Sequence, residues 1–151
     1  MIKGLFETHI NVSSLGQSMK FYGEVLGLEL GRYEDERRVA FYWLGNWGEA
    51  MLGIWEMPKE QVLPQHFAFR CEVEDILNLS VKYLKKRSLS FHNFLDEGTE
   101  RPMVFAWMPA IAIYFDDPDG HELEFIAVLN GEVRPELGVI SYSQWLEEKG
   151  R

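Results

Sequence analysis

The feature that most constrains the fold is a pattern that occurs twice. Residues 4–12 (GLFETHINV) read as a strand, and Ser13 or Ser14 can cap a helix through LGQSMKFYGEVL, where Leu15, Met19, Tyr22 and Leu26 recur at helical spacing until Gly27 stops it. Three short strand-like runs follow, LELGRYE, RVAFYWL and AMLGIWEM, so the order is β-α-β-β-β by Pro58. After the linker PKEQVLP the order restarts with HFAFRCE as a strand, EDILNLSVKYLKKR as a helix, and SLSFHNF, AIAIYFDD and HELEFIAVL as strands, offset by roughly 60 residues. A duplicated unit of this kind predicts an α+β domain over 1–151, built from tandem βαβββ modules at 4–58 and 64–129. The copies imply a pseudo-twofold pair of curved sheets. A tail over 130–151 carries SQWLEEK, which reads as a short helix.

The connection NFLDEGTERPMVFAWMP at 93–109 is longer than usual, and Phe105, Trp107 and Met108 favour a lid that packs. A net charge of -9 opposes an extended phosphate backbone, which excludes nucleic acid as a partner. The basic cluster KYLKKR at 82–87 sits on a predicted helix and reads as its solvated face. No apolar run reaches the roughly 20 residues of a membrane helix, and MIKGLFETHINV lacks the layout of a signal peptide, so the cytoplasm is the expected compartment. The single cysteine, Cys71, fits a reducing compartment.

Strand parity then sorts the polar residues. Phe67, Phe69 and Cys71 share one face of their strand, which should lie under the helix, while His66, Ala68 and Arg70 share the other. Cys71 is accordingly a small core hydrophobe. In the last strand Leu123 and Phe125 take the helix-covered face and leave Glu122, Glu124 and Ile126 opposite; in the first, Glu7, His9 and Asn11 face away from Phe6, Ile10 and Val12. A carboxylate such as Glu124 inside an apolar strand needs a partner. If the sheets curl into a cup, His66, Glu124 and a member of the Glu7/His9 pair line it together, a set suited to Zn, Mn, Fe, Co or Ni. Arg70 could hold an anionic group of a substrate, and Trp55, Tyr114 and Trp107 are candidate walls. His121 has the parity opposite Glu124 and reads as non-functional, and His92 as a loop residue. In the turn FDDPDGH, Pro118 fixes one corner, Asp116 or Asp117 accepts from the backbone beyond it, and Gly120 supplies a positive φ, so the aspartates are expected to be structural. An EF-hand is excluded because the proline interrupts its ligand spacing.

Three segments, VSSLGQSMKFYGEVLGL at 12–28, HFAFRC at 66–71 and YFDDPDGHELEF at 114–125, resemble the vicinal oxygen chelate superfamily, which holds glyoxalase I, fosfomycin thiol transferases, extradiol dioxygenases and bleomycin-resistance proteins. The resemblance implies a cup-shaped, mostly antiparallel eight-stranded sheet. It also implies a divalent metal held by His66 and Glu124, with a first-module ligand that falls on Glu7 or on His9 two residues along. Glu7 is in addition the candidate catalytic carboxylate. A fourth family ligand falls on Gly53, which cannot serve, and Glu56 nearby has the wrong parity and reads as a surface residue. Three protein ligands leave metal positions open for substrate oxygens or water, which counts against a strict glyoxalase I. The implied activity is that of a metal-dependent lyase or isomerase, thiol transferase or dioxygenase acting on a small oxygen-bearing substrate, with or without a thiol co-substrate, in a homodimer. The alternative implied by the same family is a metal-free protein that sequesters an aromatic small molecule.

Overall fold

The computed structural model of the chain describes residues 1–149; of the expected tail over 130–151, Gly150 and Arg151 lie outside the described residues. The chain divides into two compact units, the first made of Met1–Gln65 with Asp117–His121 and the second of His66–Asp116 with the chain from Glu122 onward. Among the described residues no helix is long and apolar enough to cross a membrane.

In the first unit β1 (Glu7–Val12) leads to α1 (Leu15–Met19), and β2 (Glu29–Glu34), β3 (Val39–Leu44) and β4 (Ala50–Glu56) follow. The sheet order is β1-β4-β3-β2, with β1 parallel to β4 and the other pairs antiparallel. Alternation in β1, β3 and β4 sends Ile10, Val12, Tyr42, Leu52 and Ile54 into a core that Leu15 and Tyr22 complete. The helix expected to run to Leu26 changes character after Met19, where Lys20–Val25 form a wider π-helical turn closed by Leu26 N–H to Phe21 O (2.9 Å). The Tyr42 hydroxyl donates to Met19 O (3.2 Å), which gives that carbonyl a partner where the helix changes character. Glu56 is more than the expected surface residue. Its carboxylate accepts from Leu15 N–H (2.6 Å) at the start of α1 and from Arg38 Nε (2.9 Å), because it ends β4 beside Val12.

Residues 117–121 belong to this unit and account for two of the three aspartates of the turn. Asp117 accepts from Asp119 N–H, His121 N–H and the Tyr22 hydroxyl, Asp119 accepts from Ser13, and Gly120 has φ 81°. His121 is fully buried; its Nδ1 accepts from Gln65 N–H (3.0 Å) and its Nε2–H donates to Asn11 O (2.8 Å). It is a structural pin, as its parity suggested.

The second unit contains β5 (His66–Arg70), α2 (Val73–Asn78), α3 (Ser80–Lys86), β6 (Phe91–His92), β7 (Met103–Phe105), β8 (Ala110–Asp116), β9 (Glu122–Val128), β10 (Val139–Ser141) and α4 (Tyr142–Lys149). Its sheet runs β10-β7-β8-β9-β5, with β6 also paired to β8 and β5 parallel to β9. The fold is thus α+β and mostly antiparallel as expected, but its strands form a four-stranded and a six-stranded sheet rather than one of eight. The difference arises in two segments read otherwise. Residues 103–105 of the expected lid are all buried and pair with β8, and residues 139–141 of the expected helical tail pair with β7. Asn93 returns the chain for this: its side chain donates to Thr99 O and Arg101 O and accepts from Leu95 N–H. The expected strand at 88–94 shrinks to Phe91–His92, and the helix over 74–87 breaks at Leu79. The core gathers Ile76, Val104, Ile111, Ala127, Leu129 and Trp145, with Cys71 packed against it. Burial pushes the Cys71 thiol up to about 11, which makes it inert rather than nucleophilic.

Candidate metal centre

The pleat of β5 leaves His66, Ala68 and Arg70 exposed, while Phe67 and Phe69 turn inward. On β9 the same alternation places Glu124 opposite Leu123 and Phe125, with Ala68 and Tyr114 as its ladder partners. Glu124 is only 4% exposed. His66 Nε2 stands 3.2 Å from Glu124 Oε2, and His66 Nδ1 stands 3.0 Å from the carbonyl oxygen of Glu122. A carbonyl can only accept, so Nδ1 carries a proton and, in the neutral ring, Nε2 presents a lone pair. Two acceptors, an imidazole lone pair and a carboxylate oxygen, therefore face each other. Only a proton or a cation between them makes that contact favourable. The other carboxylate oxygen, Glu124 Oε1, is buried with no hydrogen-bond partner.

The electrostatics follow from the same burial. Desolvation raises the Glu124 pKa above the ordinary 4.5, against the opposing pull of His66 and of the Tyr114 hydrogen bond. Burial and the Glu124 charge likewise push the Tyr114 phenol well above its ordinary range, so Tyr114 keeps its proton beside the carboxylate. Two further residues join this cluster: Glu122, expected only to share the face of Glu124, and His92, expected to be a loop residue but placed on β6 by its pairing with Tyr114. Glu122 Oε2 lies 3.4 Å from His66 Nδ1, and its Oε1 lies 3.6 Å from His92 Nε2. His92 stacks on Tyr114 at 5.4 Å between centroids, and His66 lies 5.8 Å from the same ring. The shared face of Glu122 and Glu124 was readable from their spacing of two. The role of His92 was not, because it depends on the register that pairs it with Tyr114.

Of the other second-unit candidates, Arg70 lies on the His66 face and makes no ion pair among the described residues. Trp107 does not join the cluster. It sits in the turn after β7 with 55% of its surface exposed, and its neighbour Phe105 is taken into the sheet.

In the first unit Glu7, His9 and Asn11 share the open face of β1, opposite Met51, Gly53 and Trp55 of β4. His9 Nε2 is 3.0 Å from Glu7 Oε1, and Trp55 Nε1–H donates to His9 Nδ1 at 2.7 Å. The imidazole lies close over the place where a Gly53 Cβ would stand, its Cδ2 and Cγ each 3.3 Å from that point. Phe41 packs edge-on against both His9 and Trp55. Within neither unit do three or more His, Cys, Asp or Glu side chains among the described residues converge so as to hold a metal by themselves.

Comparison with known proteins agrees with this arrangement of strands. The chain is 29% identical over 133 residues to the metallothiol transferase FosB of Staphylococcus epidermidis, covering 82% of this chain and 83% of that protein. It is similar in structure to an integron cassette protein from the mobile metagenome of the Halifax Harbour sewage outfall (38% identity, TM-score 0.71, 84% of this chain and 100% of that one). The fold is also that of the fosfomycin resistance protein FosX from Mesorhizobium loti (21% identity, TM-score 0.59, 85% and 95% covered). The model of the glyoxalase/bleomycin resistance protein/dioxygenase superfamily matches residues 4–125. The chain belongs to that superfamily.

Proposed function

We propose that the protein is a divalent-metal-dependent enzyme acting on a small oxygen-bearing substrate, with a thiol transferase or lyase reaction as the leading classes. The observation that carries this reading is the facing pair of acceptors: the His66 Nε2 lone pair and the buried Glu124 carboxylate, 3.2 Å apart, with Oε1 unpartnered. Two donors each about 2.1 Å from one ion stand at about that separation. The pair fits a cation, and the Glu122 carbonyl on Nδ1 is the kind of support that fixes a ligating imidazole.

Glu7 is the first-module ligand in this reading, supplied by this chain or by a second copy. Its support is that both nitrogens of His9 are engaged, whereas one oxygen of Glu7 accepts from His9 and the other remains for an ion. A bound divalent ion would supply Lewis acidity toward a substrate oxygen. The chain's own contribution is orientation and charge. Tyr114 stands beside Glu124 as its ladder partner and shields its carboxylate, and Arg70 offers a guanidinium for an anionic substrate group. The kinship with a protein named for a metal and a thiol favours a thiol co-substrate.

The aromatic face of the first sheet, where Phe41 and Trp55 pack on His9 and Trp43 lies against Trp47, supports a second reading as a metal-free binder of an aromatic compound. Elemental analysis of untagged protein separates the two. Near-stoichiometric metal in wild type and its loss in His66→Ala are expected, followed by turnover with an epoxide plus thiol or a 2-oxoaldehyde plus thiol. Metal-free wild type that binds aromatic compounds would establish the second reading, and unchanged metal in His66→Ala would remove that residue from the site.

A further inference from the structure

We propose that His9 is a positioning residue: Trp55 locks its imidazole in the Nε2–H form, and that N–H aims the Glu7 carboxylate. The inference rests on the reading of Glu7 as a metal ligand, and goes beyond it by assigning work to three residues that touch no ion.

Three observations place the device. First, Glu7 and His9 are two apart on β1 and share a face, so the imidazole can reach back to the carboxylate, with Nε2 3.0 Å from Oε1. Second, the ladder partner of His9 is Gly53, whose missing side chain leaves the ring its place. An added Cβ there would stand 3.1 Å from Phe41 and 3.3 Å from His9, so one ring would have to move. Third, Trp55 Nε1–H meets His9 Nδ1 at 2.7 Å, and the Arg37 guanidinium lies 4.8 Å above the same indole. An indole nitrogen can only donate, so Nδ1 must be bare and the proton must be on Nε2. Direction therefore runs one way, from Trp55 through His9 to Glu7. A ligating His9 would need its proton on Nδ1, where it would oppose the indole N–H. The arrangement suits a carboxylate held by one oxygen and left free at the other. Outer partners of this kind are worth about 10–100-fold in metal affinity.

The test measures Mn²⁺ and Zn²⁺ affinity by calorimetry on protein stripped with chelator, alongside the imidazole ¹⁵N spectrum of the metal-free state. We expect a bare Nδ1 and a protonated Nε2 at His9, and a mixture of tautomers in Trp55→Phe with affinity about 10-fold weaker. His9→Ala and Gly53→Ala should weaken binding by about 10–100-fold, while His9→Gln, which keeps a donor near Nε2, should stay within a few-fold of wild type. Glu7→Gln should weaken it more than any of these. If Glu7→Gln binds as wild type, the ligand assignment falls and the inference with it. If Glu7→Gln is weak but His9→Ala is not, the ligand assignment stands and the positioning role is overturned. A His9→Gln variant as weak as Glu7→Gln, with an unchanged melting temperature, would make His9 itself a ligand. A protonated Nδ1 at His9 would equally overturn the proposal.

Discussion

A hydrogen bond has a direction, and direction separates two histidines that look equivalent in the sequence. At His66 the fixed acceptor is the Glu122 carbonyl, so the lone pair points at Glu124; at His9 the fixed donor is Trp55, so a proton points at Glu7. The first contact calls for a proton or a cation between its two acceptors, and the second is already satisfied. Strand spacing placed His66 and Glu124 on faces that meet, but the tautomers follow from neighbours 56 and 46 residues away in the chain. The burial of Glu124 has a measurable consequence in metal-free protein. A glutamate with a raised folded pKa contributes stability that is full below the ordinary 4.5 and is lost as pH rises through its folded value. Urea denaturation of chelator-stripped protein should therefore show stability falling with pH across that window. Glu124→Gln should flatten the slope; an unchanged slope would assign it to another group.

At the scale of elements, local pattern located most strands and missed those whose existence depends on a partner. Three buried residues, Met103–Phe105, sit inside a segment that reads as a loop, and they become β7 only because β8 and β10 flank them. Glu56 has the parity of a surface residue, yet the end of β4 stands beside the start of α1 and the carboxylate caps it. The terminal helix α4 was legible as SQWLEEK, but not its task. Trp145 is 2% exposed in the second unit's core, and Gly131 lets it lie there, since a Cβ at that position would come within 2.5 Å of the indole. Trp145→Ala should destabilise the protein by about 3–5 kcal/mol in chemical denaturation. A loss below about 1 kcal/mol would mean that α4 is dispensable to the core.

For the whole molecule, a resident cation should appear as stability. At a free metal concentration about 100-fold above Kd, binding adds about 2.7 kcal/mol, which for a chain of this size raises the melting temperature by about 5–10 °C. Differential scanning calorimetry should find that shift in wild type and not in His66→Ala; equal shifts in both would place the ion elsewhere. What the sequence determined by itself was whatever depends on near neighbours along the chain. The duplicated strand and helix order, the faces of His66, Glu124 and Cys71, and the turn built on Asp117 and Gly120 all follow from pleat periodicity and turn chemistry. Only the tertiary structure decided that Glu124 Oε1 is buried without a partner, that His92 and Glu122 join the cluster, and that two short segments complete a six-stranded sheet. Those outcomes rest on hydrogen bonds and ladder registers between residues far apart in sequence, and no local periodicity encodes such pairings.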